Sequence, residues 1–358
     1  MCLSIGLIIK RVSLIAVAWM CFVATVAASP LFYADNVTFN KSGSQLIYTN
    51  PAASLLTVIE ARTGKILRQL KLKNLPKNAL MIGATPDGFK LLYLDAKGLS
   101  VIHNGTGKVL RTLAHPHGYQ AVYKRHLMAQ NTNGSLIAIP YKHGNKYTLF
   151  MIHTGSGKVI HQLALPVLRP ANQNPIEAIT FSVNNRLLAY TRHSRDDKGR
   201  AGSMLHIYDL YAKKELQAIF LVNHRYRNHA GAMPIPSNRI QFSRDNQKIA
   251  LVFPDKVTVV DSKTGSFNDF PARNADAVFN SNNQSLIYKS SLAGTSPIII
   301  NMRSGKNQKM PLTPAMKKQS LAFIQSADKR WIAIPLLNKK NGAADFLVLN
   351  GQTGALVK

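Results

Sequence analysis

Two short stretches concentrate side chains suited to holding an anion. Residues 191–202 contain Arg192, His193, Arg195 and Arg200, and residues 223–232 contain Arg225, Tyr226 and Arg227. A guanidinium presents a rigid fork of N–H donors that matches a carboxylate, phosphate or sulfate group, and a tyrosine adds a ring face for stacking. These residues form the candidate ligand- or partner-binding set. The plainer reading of both stretches is a solvated surface loop. A second constellation is histidine-based: His115 and His117 lie close in sequence, as do His224 and His229. Imidazole suits zinc or copper, but neither pair has an acidic or thiol neighbour to complete a shell, so no metal is assigned.

The elements that must position these residues are bounded by length and composition. The chain has 358 residues, 46% of them hydrophobic, enough for one large repeat domain with a sizeable core. Residues 1–28 read as a signal peptide: Lys10 and Arg11 precede an apolar run, with Val26 and Ala28 small enough for cleavage before Ser29. Export to the periplasm or cell exterior is therefore expected. The alternatives are a retained membrane anchor and a misassigned start codon. Both cysteines, Cys2 and Cys21, fall inside that segment. The mature chain is thus expected to hold itself by packing, without disulfides, thiol nucleophiles or thiolate metal sites. Lys and Arg number 45 against 16 Asp and Glu, a net charge of +29, of which Lys10 and Arg11 contribute two. Such a surface attracts polyanions.

From residue 36 onward one unit recurs. Its second strand is Leu46-Ile47-Tyr48, Leu91-Leu92-Tyr93, Leu136-Ile137-Ala138, Leu187-Leu188-Ala189, Ile249-Ala250-Leu251, Leu286-Ile287-Tyr288 and Trp331-Ile332-Ala333. Each run follows a turn rich in Asn, Asp, Gly or Ser. A second turn recurs as Thr63-Gly64-Lys65, Thr106-Gly107-Lys108, Ser156-Gly157-Lys158, Thr264-Gly265, Ser304-Gly305-Lys306 and Thr353-Gly354; the fourth copy carries Ala212-Lys213-Lys214 instead. Spacings of 40 to 56 residues between these turns, with four strands per unit, predict an all-β, seven-bladed β-propeller of four-stranded antiparallel blades. The domain runs over 29–358, with blades near 36–73, 78–114, 119–166, 176–222, 237–272, 274–312 and 318–358. The last blade closes by packing alone or borrows Leu31-Phe32-Tyr33 as a strand.

The first copy resembles the YVTN β-propeller repeat, a secreted relative of WD40-type propellers. The resemblance rests on Thr49 and Asn50, the run Leu56 to Glu60, and Thr63-Gly64-Lys65, with Asp209 and Asp261 at the place of the family's strand-ending aspartate. Ile47-Tyr48 stand where the family has Tyr-Val, and Glu60 stands for the aspartate in this copy. The resemblance implies a propeller fold, export, and ligand or partner binding; it carries over no catalytic residue.

A propeller channel is the natural place for chemistry, and its expected entrance offers Asp35, Glu177 and Asp276, with Arg239 at another blade. Separated acids of this kind are expected to hold neighbouring strands rather than cage a hard cation. Trp331 sits in a core strand, which provides no platform for a quinone, and no acid pair can be set at a glycosidase separation. Nucleic acid is an unexpected partner for an exported chain without a recognition helix. No catalytic residue, cofactor or metal is assigned. The chain reads as a non-catalytic binding or scaffolding module for an anionic polysaccharide, a lipid headgroup or an acidic protein partner, with no stable membrane span after signal cleavage. The rival is a channel-based hydrolase of the lactonase kind or a redox enzyme. Three or more convergent carboxylate or His groups in the channel would favour the enzyme, and a lining of apolar, Thr and Gln residues the binder.

Overall fold

The computed structural model describes residues 37–40, 42–50, 55–72, 79–85, 89–123, 127–132, 134–165, 176–199, 201–222, 240–253, 256–271, 275–280, 282–290, 298–302, 304, 306–309, 323–326, 329–337, 344–353 and 355–357. The segment read as a signal peptide, Leu31-Phe32-Tyr33, Asp35, Arg200, Arg225, Tyr226, Arg227, Arg239, His224 and His229 lie outside the described residues.

Seven antiparallel sheets follow one another along the chain. Blade one is Val37–Phe39, Gln45–Asn50, Leu55–Glu60 and Ile66–Lys71; blade two is Leu80–Ala84, Lys90–Asp95, Gly98–His103 and Val109–Ala114. Blade three is Ala129–Gln130, Leu136–His143, Lys146–His153 and Val159–Leu165, with a short extra strand, Gln120–Ala121, beside the second. Blade four is Ala178–Phe181, Leu187–Arg195, Ala201–Asp209 and Lys214–Val222; blade five is Ile240–Phe242, Lys248–Val252, Lys256–Asp261 and Phe267–Pro271. Blade six is Ala275–Phe279, Ser285–Ser290, Ile298–Asn301 and Asn307–Lys309, and blade seven begins with Ile324–Gln325, Trp331–Leu337 and Ala344–Asn350. Its outer edge is residues 355–357, bridged through Leu349 and Leu356, with Val357 N–H donating to the Val348 carbonyl. The chain is a seven-bladed β-propeller.

The period of two in each second strand explains why single blades cannot stand alone. In Gln45–Asn50, Ile47 packs toward blade two with Leu56, Met81 and Leu91, while Leu46 and Tyr48 pack toward blade seven with Ala333 and Trp331. Both faces of the sheet are thus apolar, and each is covered only by a neighbour. The same division recurs around the ring, giving seven cores at seven blade boundaries. The last of them, Val37 and Phe39 against Ile324 and Trp331, closes the circle. Ile47, fully buried, carries this on one side chain; truncation to Ala would cost about 3 kcal/mol through lost transfer energy and a cavity.

The turns between third and fourth strands of blades two to seven share one device, an acceptor at the end of the third strand that gathers turn N–H groups; in blade one Glu60 accepts the Thr63 hydroxyl instead. Asp209 Oδ1 accepts from Tyr211 and Ala212, both at 2.9 Å, and Asp261 Oδ1 accepts from Lys263 and Thr264 at 3.0 and 2.8 Å. These hydrogen bonds, that of Ala212 foremost for Asp209 and that of Thr264 for Asp261, hold both carboxyls below their ordinary range. Asn350 Oδ1 plays the part in blade seven, and His103 Nδ1 and His153 Nδ1 play it in blades two and three. In blade four Lys213, at φ 52°, occupies the left-handed position that glycine holds elsewhere.

Candidate functional site

One expectation is corrected by the backbone. Residues 191–202 are not a long loop: Thr191 to Arg195 and Ala201 to Gly202 are paired strand, in register from Thr191↔Leu205 to Arg195↔Ala201. Polar sequence had suggested a loop, but strand pairing is made by the main chain and tolerates polar side chains on an exposed hairpin. The described residues 196–199 form the turn, closed by the Gly199 N–H on the Asp196 carbonyl at 2.9 Å.

The alternation of that strand separates the candidate residues. Arg192 shares a face with Tyr190 toward blade three; His193 and Arg195 lie on the other. Arg192 Nε donates to His206 Nε2 at 2.8 Å, so the imidazole keeps its proton on Nδ1, which donates to Glu215 Oε2 at 2.5 Å. The His206 ring stacks on Tyr190, centroids 4.8 Å apart and planes 10° from parallel. Burial lowers the pKa of His206 despite the Glu215 carboxylate, and burial with the Glu215 charge pushes the Tyr190 hydroxyl up to about 12. Arg195 Nη1 folds back to the Gly199 carbonyl at 2.9 Å, and burial followed by the Arg195 charge lowers the pKa of His193. Two of the arginines are therefore engaged within their own hairpin. Of the other expectations, both ring nitrogens of His115 are engaged, by the Tyr141 hydroxyl at 3.2 Å and by the Asp95 carbonyl at 2.9 Å, while His117 is exposed. Among the described residues no group of three His, Cys, Asp or Glu could hold a metal. Glu177 accepts the Ser203 hydroxyl at 2.7 Å and ties the first strand of blade four to the third.

The central channel is lined by polar side chains from the inner strands of five blades, whereas Val278 of blade six packs into the core between blades six and seven. Thr38, Gln130, Thr180, Gln241 and Gln325 line a cavity of about 250 Å³. Gln241 Nε2 donates to Gln325 Oε1 at 2.5 Å and its Oε1 accepts from Phe279 N at 3.2 Å, an amide bridge across blades five, six and seven. Gln130 Nε2 donates to the Ala84 carbonyl at 2.7 Å, lying where a side chain at Gly83 would stand. The lining is Thr, Gln, Ser, Asn and apolar residues, with one charge, Lys329.

Lys329 was not singled out by sequence reasoning. It sits in the turn leaving the inner strand of blade seven, 3% exposed, with φ 60°. Nζ donates to the Phe242 carbonyl and lies 5.2 Å from the Phe279 ring centroid. Burial, only partly offset by Asp245, lowers its pKa to about 7.

Antiparallel alternation puts the turns after the first and third strands on one end of the propeller, opposite the blade-four hairpin. That turn face is densely cationic. Exposed Lys65, Lys108, Lys158, Lys213, Lys263 and Lys306 stand at six successive turns. Among the described residues the ion pairs are Arg186–Asp209, His206–Glu215 and Lys256–Asp269, none of which uses these lysines. Beside them the outer strands expose Ile66, Leu110, Ile160 and Phe267.

Fold and site together define a seven-bladed, WD40-like β-propeller with a polar channel and a basic turn face. The chain is similar in fold to the Cps50 (Swd1) β-propeller domain of Myceliophteria thermophila, with TM-score 0.56 and 12% identity over 87% of this chain and 95% of that one. It is similar also to the hydrazine synthase of Kuenenia stuttgartiensis, with TM-score 0.54 and 15% identity over 89% of this chain and 95% of that one. At these identities the likeness is one of architecture. No family model and no curated protein matches the sequence.

Proposed function

We propose that the protein is an exported, non-catalytic binding module that engages an anionic envelope ligand, such as an acidic polysaccharide or lipid headgroup. The observation that carries this reading is the ring of exposed lysines at six successive blade turns, unpaired with acids among the described residues, on a chain of net charge +29. Like charges repeated at successive turns of one face raise the local concentration of a polyanion and are neutralised together on contact. The Thr and Gln lining of the channel supports binding rather than metal- or carboxylate-based chemistry. The blade-four set Arg192, His193, Arg195, Arg200, Arg225, Tyr226 and Arg227 is the competing contact surface; its described members, Arg192, His193 and Arg195, belong to the hairpin on the opposite face.

Retention on an immobilised sulfated polysaccharide, eluted with salt, tests both. Replacing Lys65, Lys108, Lys158 and Lys263 with Ser is expected to move elution to markedly lower salt, because exposed charges act through a screening length of about 8 Å at physiological ionic strength. Replacing Arg192, Arg195, Arg225 and Arg227 with Ser is expected to have a smaller effect. The reverse ranking would transfer the site to the hairpin face, and unchanged retention in both would remove the proposal.

A further inference from the structure

The fourth residue of the turn after the inner strand follows a pattern that breaks once. Blades one to three have Gly43, Gly88 and Gly134 there; blades four to six have Asn185, Asn246 and Asn283. The asparagines adopt φ of 60–62° and reach back to the preceding turn, accepting the backbone N–H of Thr132, Val183 and Arg244. Blade seven keeps the left-handed conformation but places Lys329 in it, a residue with no intrinsic advantage there. Its side chain turns away from the neighbouring turn and toward the axis.

The ammonium it delivers is incompletely answered. A lysine carries three N–H donors, and the Phe242 carbonyl takes one. The Phe279 ring face and the Phe242 dipole favour a cation without neutralising it. Asp245, on the turn of blade five, is the carboxylate that acts on Lys329 from a packed element, and it makes no ion pair with it. Beside the ammonium lies the axial cavity of about 250 Å³, where Thr38 and Thr180 make only long contacts of 3.4 Å to neighbouring carbonyls and so keep hydroxyl donors to spare. Buried cations are stabilised by a counter-charge, and this one has a polar chamber in place of it.

We propose that the axial cavity is a binding site for a small oxyanion, a carboxylate or phosphate group seated against Lys329 Nζ and within reach of the Thr38 and Thr180 hydroxyls. The site is separate from the lysine ring on the turn face: it takes a single anionic group on the axis rather than an extended polymer across the surface. An anion there restores the missing counter-charge and holds Lys329 protonated at neutral pH.

Thermal unfolding near neutral pH in succinate, inorganic phosphate or sodium chloride of matched ionic strength tests this. The unfolding temperature of the wild-type protein is expected to rise by several degrees with succinate or phosphate beyond the chloride control, as preferential binding to the folded state requires. The more effective of the two identifies the carboxylate or phosphate as the natural group. Lys329→Met is expected to abolish the shift. Lys329→Asn, which installs the residue of the three preceding turns and so retains the fold, is expected to abolish it too. The variant with Lys65, Lys108, Lys158 and Lys263 replaced by Ser is expected to keep the shift in full even where polysaccharide retention is lost. No wild-type shift beyond chloride, an equal shift in both Lys329 variants, or loss of the shift in the turn-face variant would overturn the proposal.

Discussion

The Asn246 side chain crosses a blade boundary and accepts the backbone N–H of Val183 at 2.6 Å. It does so from a left-handed backbone, φ 62°, so one residue serves both the turn and the seam between blades four and five. Asparagine suits this double role: its short amide tolerates that conformation better than most side chains and carries an acceptor. Two substitutions separate the roles. Asn246→Gly keeps the conformation and loses the acceptor, and is expected to cost about 1 kcal/mol in urea unfolding, the usual net worth of one hydrogen bond. Asn246→Ala loses the acceptor and also leaves a Cβ in the left-handed region without the amide that lets asparagine tolerate it, and is expected to cost about 1 kcal/mol more than the glycine variant. Equal stability of the two variants would show that the backbone there is unstrained.

The Arg192–His206–Glu215 chain makes the protein sensitive to acid. His206 is held neutral in the fold, its pKa lowered from 6.5 chiefly by burial, whereas the unfolded chain takes up a proton at the ordinary value. Its contribution is therefore fully present above about pH 6.5 and is lost as the pH falls through that value toward the lowered folded one. His161 and His193 are shifted in the same direction, each by burial first, and add to the slope. His206→Gln keeps an acceptor for Arg192 and a donor for Glu215 without the titration. Its urea midpoint is expected to fall less than that of the wild type between about pH 7.5 and pH 5.5. An identical fall in both proteins would place the acid sensitivity elsewhere.

The blades were legible in the sequence because their signal is local and repeated. Runs such as Leu46-Ile47-Tyr48, buried on both faces, are followed by a turn glycine such as Gly64 at φ 70°. Function in the turns was less legible, since what the fold requires at the end of each third strand is an acceptor for turn donors, not a particular residue. Asp209 and Asp261 were visible as matches to a motif; His103, His153 and Asn350 do equivalent work and were not. Lys329 escaped because the turns were read only by their content of Asn, Asp, Gly or Ser, whereas the telling comparison is position by position with Asn185, Asn246 and Asn283. The blade-four hairpin was misread for the opposite reason: polar residues at Arg192, His193 and Ser194 hid a ladder made by the backbone.

Glycine positions give the sharpest check on the packing, because two that look alike in sequence differ in surroundings. Gly98 opens the third strand of blade two at φ 144°, in a tight turn where Asp95 Oδ1 accepts the N–H groups of Lys97 and Gly98 at 2.7 and 3.1 Å. A Cβ there would stand 2.0 Å from the Leu113 carbonyl oxygen, an atom of the adjoining strand that cannot swing aside. Gly64, at φ 70°, has no atom within 4 Å of such a Cβ. Gly64→Ala is therefore expected to cost only the left-handed strain, about 1 kcal/mol. Gly98→Ala must part the third and fourth strands as well, and is expected to cost more than about 3 kcal/mol and to lower the unfolding temperature accordingly. Since Val101 and Ile102 of that strand are buried at the seams with blades three and one, the damage should spread to both boundaries and register as faster amide exchange there. If the two alanine variants unfolded at the same urea concentration, the close approach at Gly98 would be ruled out.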